Sequence, residues 1–234
     1  GANDRLPAIA AELVAQAPDL ILVQSVPASR ALIQATKSIP IVMAGVGNPV
    51  EYGIVASYRN PGGNVTGSSF LANEYTSKLL QLLKEAAPRL QSVAFISNSS
   101  NETAAAFVKQ LRADAIAYGL QLQVVEVSGK GDFEAAFAAI RSAHTQSILL
   151  PPEALIQANR EAIASFAQIH GLPLAVVGGS RALPASGLIA YGPTRGEYQR
   201  LAARYVDQIL KGAKPADLPV EQPTRFHLVI NLKT

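Results

Sequence analysis

The chain has 234 residues, 49% of them hydrophobic, enough to bury one sizeable core or two smaller ones. Its 20 Lys and Arg residues face 17 Asp and Glu residues and are scattered along helix faces, so the concentrated basic footprint of a duplex-binding protein is missing and no nucleic-acid partner is expected. The absence of cysteine excludes a disulfide framework and a thiolate metal site, and no apolar segment approaches the roughly 18–20 residues of a membrane span.

Helix and strand patterns alternate from the start. Leu6, Ile9, Ala10, Leu13 and Val14 form one helical face, followed by an all-apolar strand Leu20–Val23, a helix near Ala28–Thr36 and a strand Ile39–Ala44. A glycine-rich turn at Pro61–Gly63 leads to the strand Asn64–Ser69. A second series then begins with a helix around Tyr75–Ala87 ended by Pro88, the strand Ser92–Ser97, and a long helix from about Glu102 to Tyr118 closed by Gly119. The strand Leu122–Val127 follows, then a helix opening at Asp132 with Phe133, Ala136, Phe137 and Ile140 on one face. Next come the strand Ser147–Leu150, a helix running to His170 and capped by Gly171, and the strand Leu174–Val177. Continuous apolar strands separated by helices predict parallel sheets buried on both faces, arranged as two α/β lobes.

The tail is the most distinctive stretch. Tyr198, Leu201, Ala202, Tyr205, Val206, Ile209 and Leu210 fall on one helical face, with Arg195, Glu197, Gln199, Arg200, Arg204 and Asp207 on the wet side and Gly212 as the stop. Pro215, Pro219 and Pro223 keep the following link extended, because each fixes its own φ and biases its predecessor away from helix. A short apolar strand, Phe226–Ile230, closes the chain. This tail, from Tyr191 to Thr234, and the block GVGNPVEYGIVASYRNPGGNVTG, from Gly45 to Gly67, resemble two signature segments of one family. The family is that of ABC-transporter substrate-binding proteins, typified by tryptophan- and tyrosine-binding lipoproteins of bacterial uptake systems. The intervening segments fit in length and pattern, so the resemblance covers essentially the whole chain.

The resemblance implies a type I periplasmic binding protein fold: two Rossmann-like lobes with parallel sheets joined by a hinge. It places residues 1–72 and 190–218 in the first lobe and 73–189 and 219–234 in the second, with the helix after Tyr191 returning to the first lobe and the last strand joining the second. The strand Leu188–Tyr191 counts as one of about four in the first lobe. Family members carry a further strand, helix and strand ahead of this point, so the first lobe reads as lacking that N-terminal unit. No signal-peptide pattern opens the chain, and an exported form would have lost its leader from this sequence.

In doubly wound sheets ligands sit beyond the carboxyl ends of strands, near helix N-termini. Ser25, after the first strand, is a helix cap or a ligand donor. Gly45, Val46, Gly47, Asn48 and Pro49 are half of a G-x-G-x-x-G fingerprint with Val50 at the last position, which is weak evidence for a dinucleotide. In the family this loop borders the cleft, making Asn48 a polar ligand contact. Ser97 to Thr103 supplies more short polar groups than one helix cap needs. Asn101 or Ser100 serves as the cap, and resemblance to amino-acid binders makes Asn98, Ser99 and Ser100 ligand contacts. Glu153 pairs with a ligand ammonium group or opens the next helix. Ser180 and Arg181 follow the strand Leu174–Val177. Arg181 holds a ligand carboxylate bidentately or is a solvated loop residue. The family pattern has an acid after this arginine, where Ala182 stands. Tyr191 packs against a flat ligand or in the interface between lobes.

His144, His170 and His227 have no metal or triad spacing, and neither a G-x-S-x-G elbow nor a Walker loop occurs. No cofactor, no metal and no enzymatic activity are expected. The reading is an extracytoplasmic solute-binding protein, monomeric, closing by a hinge around an aromatic or branched apolar amino acid, or a related aromatic acid, and presenting it to an ABC permease. Two rivals share the architecture: a ligand-sensing domain of a regulator, which would be fused to a DNA-binding helix-turn-helix, and an α/β enzyme, which would converge an acid–base pair in its cleft.

Overall fold

A computed structural model describes residues 3–101 and 103–233. In chain order the elements are α1 (Leu6–Ala15), β1 (Ile21–Val23), α2 (Val26–Ala35), β2 (Ile41–Gly47), β3 (Val65–Phe70), α3 (Ala72–Ala86), β4 (Ser92–Asn98), α4 (Ala104–Ala117), β5 (Gln121–Val127), α5 (Phe133–Ser142), β6 (Ile148–Leu150), α6 (Ala154–Ala158), α7 (Arg160–Ile169), β7 (Leu174–Val177), β8 (Ile189–Gly192), α8 (Arg195–Leu210) and β9 (His227–Ile230). The chain divides into an N-terminal unit, residues 3–71 with 195–225, and a central unit, residues 72–194 with 226–233.

The N-terminal unit is built on a three-stranded parallel sheet in the order β1-β2-β3. Successive residues of β2 serve opposite faces, as strand geometry requires. Ile41 and Met43 join the cluster under α1 and α2, while Val42 and Ala44 pack against Ala202, Tyr205 and Ile209 of α8. Both sets are essentially removed from solvent, which explains why β2 reads as a continuous apolar run. Leu210, expected on the same buried face of α8, is 60% exposed because the helix ends there. In α1 only Ala10 is fully buried, since this helix packs along α2 and leaves Ile9 and Leu13 partly in solvent.

The outer edge of β3 is covered by the proline-rich link. Ser69 N–H donates to the Glu221 carbonyl at 2.8 Å and Glu221 N–H donates to Gly67 O at 3.0 Å, so the link satisfies backbone groups that an open edge would expose. Tyr205 donates its hydroxyl to the Pro219 carbonyl, and Arg204 pairs with Glu221 at 2.5 Å, tying the link to α8.

The central unit carries a six-stranded sheet in the order β5-β4-β6-β7-β8-β9, parallel except for β9. Helices cover both faces: α5, α6 and α7 bury Ile140, Ile156 and Ile163 against one, while α3 packs on β7 and β8, with α4 beside α3 on β5. β6 is three residues long and wholly buried. Each of its side chains contributes roughly 1.5–3 kcal/mol by leaving water, so a strand this short still forms.

Two boundaries differ from the sequence expectation. The strand expected in the first lobe near Leu188–Tyr191 lies in the central sheet, because β8 pairs in parallel with β7 (Ala175 with Ile189) and antiparallel with β9. Residues 190–194 therefore go with the central unit. Residues 219–225 stay with the N-terminal unit, because Val220 is buried in its core and Glu221 bridges to Ser68. The helix expected to run unbroken to His170 is two helices, α6 and α7, separated at Asn159.

Candidate ligand-binding site

The polar groups of the central unit converge at the carboxyl ends of β4 and β6. Asn98 is the last residue of β4, and its Nδ2 donates to Glu153 Oε1 at 2.9 Å across 55 positions of sequence. Glu153 is also the N-cap of α6, where its Oε2 accepts from Leu155 N–H (3.0 Å) and Ile156 N–H (3.3 Å). Asn98 Oδ1 accepts from both the amide (3.1 Å) and the hydroxyl (2.6 Å) of Ser100. Ser99 extends the pairing of β4 by donating its N–H to Val127 O at 2.9 Å, and its side chain is exposed. The result is a half-buried carboxylate with its polar neighbours already engaged, which can still accept a further donor through its remaining lone pairs. The expected helix cap is displaced. Asn101 instead folds an Asx turn, accepting from Thr103 N–H (3.1 Å) and its hydroxyl (2.9 Å), while α4 starts at Ala104 with Thr103 as N-cap. Glu102 lies outside the described residues.

In the N-terminal unit the carboxyl ends of β2 and β3 are shaped by a bulge. Gly45, at φ +78, interrupts the β2–β3 register between Ala44 and Val46. Only glycine fits, since a Cβ would come within 2.9 Å of the Tyr198 ring. The extra residue re-aims the strand end, and Asn48 follows at φ +44 with its N–H on the Phe70 carbonyl at 3.1 Å. Its Nδ2 donates to Glu51 Oε2 at 2.7 Å. Its Oδ1 is out of solvent contact with no hydrogen-bond partner. The same holds for the hydroxyl of Ser69, a fully buried residue of β3 that pairs with Val46. An unsatisfied buried polar group costs about 1–3 kcal/mol, so two of them at adjoining strand ends require an explanation. The loop after Asn48 is held by Arg30, which donates to the Tyr52 carbonyl at 3.1 Å, and by the burial of Ile54 and Val55.

The remaining expected residues have other partners or lie exposed. Ser25 is the N-cap of α2, accepting from Ala28 N–H at 3.4 Å, and is exposed. Arg181 is exposed in a short 3-10 turn, Ser180–Ala182, and its carbonyl accepts from Arg160 Nη1 at 3.2 Å. The side chain of Ser180 lies outside what is described. Tyr191 is half-buried and stacks on Phe226 with ring centroids 6.0 Å apart, and Phe226 meets Tyr75 edge-on at 5.4 Å.

A surface cavity of about 250 Å³ lies elsewhere, at the amino-terminal side of β6 and β7, and includes Arg141, His144, Phe166 and His170. Arg141 stands in the last turn of α5, where a positive side chain complements free helix carbonyls, and the strand-end chemistry is at the opposite ends of the strands. No group of three or more His, Cys, Asp or Glu suited to a metal occurs among the described residues. Asp132, in the loop that follows β5, has its pKa lowered by hydrogen bonds from the Ser128 amide and hydroxyl and the Gly129 amide. Hydrogen bonding to Arg204 lowers the Glu221 pKa, and burial raises that of the Tyr205 phenol. Both groups tie the proline link to α8.

The whole chain, residues 1–234, matches the family described as ABC transporter substrate binding protein. The chain belongs to this family. It is 28% identical over 231 residues to a tyrosine-binding protein of Clostridioides difficile strain R20291, covering 97% of this chain and 64% of that protein, so the chain spans less than two thirds of that relative. Its fold is similar to that of an ABC domain in complex with L-Trp from Streptococcus pneumoniae, at a TM-score of 0.87 and 25% identity over 100% of this chain and 80% of the other. A leucine-binding protein of Thermotoga maritima, at 15% identity and a TM-score of 0.61, covers 92% of this chain and 64% of that one, and shares the fold. The fold is that of type I periplasmic binding proteins. The family and these neighbours are solute-binding proteins, and no described helix is long and apolar enough to cross a membrane.

Two residues at these strand ends give no sequence signal of their place. Ser69 gave no signal, since a serine inside a strand pattern reads as neutral filling. Tyr198 was assigned to a generic buried helix face, yet its ring packs on Gly45 and sits 5.7 Å from Phe70. The glycine at the bulge lets the Tyr198 ring approach the backbone of β2, a contact no sequence pattern encodes.

Proposed function

We propose that this chain is the solute-binding component of an ABC uptake system, acting outside the cytoplasm as a monomer without enzymatic activity, and delivering an aromatic or branched apolar amino acid to a membrane permease. The observation that carries the reading is the polar strand-end cluster of Asn98, Ser100 and Glu153, which offers an amino acid a carboxylate acceptor beside exposed serines. It stands at the carboxyl ends of parallel strands, where doubly wound folds take their ligands. Membership of the family supports the transport role, and the printed ligands of its relatives, tyrosine and L-Trp, support the ligand class. Under this proposal Asn48, Ser99, Ser180, Arg181, Tyr191 and Ser25 are further ligand contacts.

Thermal-shift screening against L-tryptophan, L-tyrosine, L-phenylalanine, L-leucine and aromatic carboxylates tests the reading. A ligand at a hundred times its Kd stabilises the fold by about 2.7 kcal/mol, which for a chain of this size raises Tm by about 5–10 °C. Absence of a shift with every member of the panel at millimolar concentration would remove the ligand class.

A further inference from the structure

The cavity at the amino-terminal side of β6 and β7 lies within the central unit and has a chemistry of its own. Its volume is about 250 Å³, and Ile140, Phe166 and Leu172 give it an apolar floor, Ile140 being fully buried. Arg141, His144 and His170 line the same space from exposed positions. Among the described residues no Asp or Glu lines the cavity, and no hydrogen bond or ion pair engages the side chain of Arg141, His144 or His170. The His170 ring touches that of Phe166, with centroids 4.6 Å apart, and Phe166 stacks in turn on Phe137 at 4.4 Å.

Basic residues that follow a helix ordinarily hydrogen-bond its last carbonyls. Here the main chain closes those carbonyls itself. After α5 the N–H groups of Ala143, His144 and Thr145 donate to the carbonyls of Ala139, Arg141 and Ile140 at 3.2, 3.1 and 3.3 Å, and after α7 those of His170, Gly171 and Leu172 donate to Phe166, Gln168 and Ala167 at 3.1, 3.2 and 2.8 Å. Both closures pass through a left-handed residue, Gly171 at φ +63 and His144 at φ +50. Glycine takes the same turn after α4 and α8, as Gly119 and Gly212, and Ala17 takes it after α1. A histidine at this turn adopts a backbone that glycine reaches without steric cost, and its ring forms no bond within the fold in return. Three basic side chains are therefore left over around one apolar floor, more than the two helix ends require.

We propose that this cavity is a second ligand site, separate from the strand-end cluster, for a small organic acid: a carboxylate carried on a compact apolar body. The planar guanidinium of Arg141 matches a carboxylate with two parallel N–H donors, and each histidine ring adds an N–H donor. The apolar body covers Ile140, Phe166 and Leu172, removing them from water. The negative ends of α5 and α7 oppose an anion, so binding depends on the basic side chains, and an uncharged analogue of the same shape gains little from them. Inorganic phosphate meets the donors but leaves the floor bare. The site does not depend on the amino-acid reading proposed above, and each can fail without the other.

The three histidines of the chain make the test site-specific, since His144 and His170 line the cavity while His227 stands in β9. Sodium benzoate is titrated into the protein at fixed pH while the imidazole Hε1 signals are followed by proton NMR, assigned with His144→Gly and His170→Gln. The two cavity signals are expected to move saturably with a Kd of about 1 mM, in keeping with so small a ligand, and the His227 signal to stay in place. Benzamide and inorganic phosphate are expected to bind about tenfold more weakly or worse, and Arg141→Ala to raise the benzoate Kd about tenfold. His144→Gly should also weaken binding, yet leave the melting temperature of the unliganded protein equal or higher, because glycine fits the left-handed turn. Shifts that never saturate, equal affinity for benzamide, or an unchanged Kd in Arg141→Ala overturns the proposal. Calorimetric binding of benzoate with both cavity signals unmoved overturns it too, and leaves the strand-end reading standing.

Discussion

The strand ends of the two units carry similar residues in opposite conditions. In the central unit Asn98, Ser100 and Glu153 are knitted together, each side chain bonded to another or to a helix N-terminus. In the N-terminal unit Asn48 Oδ1 and Ser69 Oγ are buried and unmatched. A closed network contributes to stability and holds its groups in place before a ligand arrives. Unmatched groups cost stability and become useful only when something fills them. The two clusters should therefore respond differently to deletion in stability, the closed one losing it and the unmatched one keeping it.

The largest effect breaks the N-terminal side outright. Gly67 lies two residues before Ser69 at φ +126, and a Cβ there would stand 2.3 Å from the Met43 carbonyl oxygen. Gly67→Ala is expected to cost about 3 kcal/mol or more in urea unfolding through backbone strain and the separation of β2 from β3. Glu153→Ala comes next. It strips the cap from α6 and leaves Asn98 Nδ2 without its acceptor, a loss of about 2 kcal/mol. Glu153→Gln, which keeps an acceptor oxygen, should lose much less, and near-equal losses would show that the charge rather than the cap holds the loop. Ser69→Ala is the counterpart, with no loss of stability expected in the same assay.

The smallest effect lies outside both clusters and serves as a control. Glu221 has its pKa lowered by Arg204, so the stability it contributes is fully present above the unfolded carboxylate value of about 4.3 and is lost as pH falls through the lower folded value. The pair is partly exposed, which limits the contribution to about 0.5 kcal/mol. Glu221→Gln should flatten the acid limb of the stability–pH curve by that amount and leave ligand affinity alone. A change in affinity would bring the proline link into the site.

Much of the fold was legible because its strands are buried on both faces. Ile148–Leu150 and Leu174–Val177 read as uninterrupted apolar runs, and helices end at clear stops such as Gly171 after α7 and Gly212 after α8. What sequence periodicity could not show was which sheet a strand joins. β8 looks alike in either unit, and its pairing, parallel with β7 and antiparallel with β9, places it. The site was legible as a set of residues and illegible as contacts. Asn98 and Glu153 stood out separately at strand ends, while their bond depends on β4 and β6 being neighbours, a non-local fact. Ser69 escaped because its significance is a missing partner, which no local pattern encodes.

The most direct test of the account uses a property of the chain itself. It contains no tryptophan, so with excitation confined to the indole band the emission of L-tryptophan reports its own binding without a protein background. Titrating the folded protein into L-tryptophan, alone and in competition with L-tyrosine and L-leucine, should give a saturable 1:1 shift of the ligand emission that at least one of these competitors reverses. Unchanged emission, together with no calorimetric heat from tyrosine or leucine, would contradict the claim that the chain binds an amino acid.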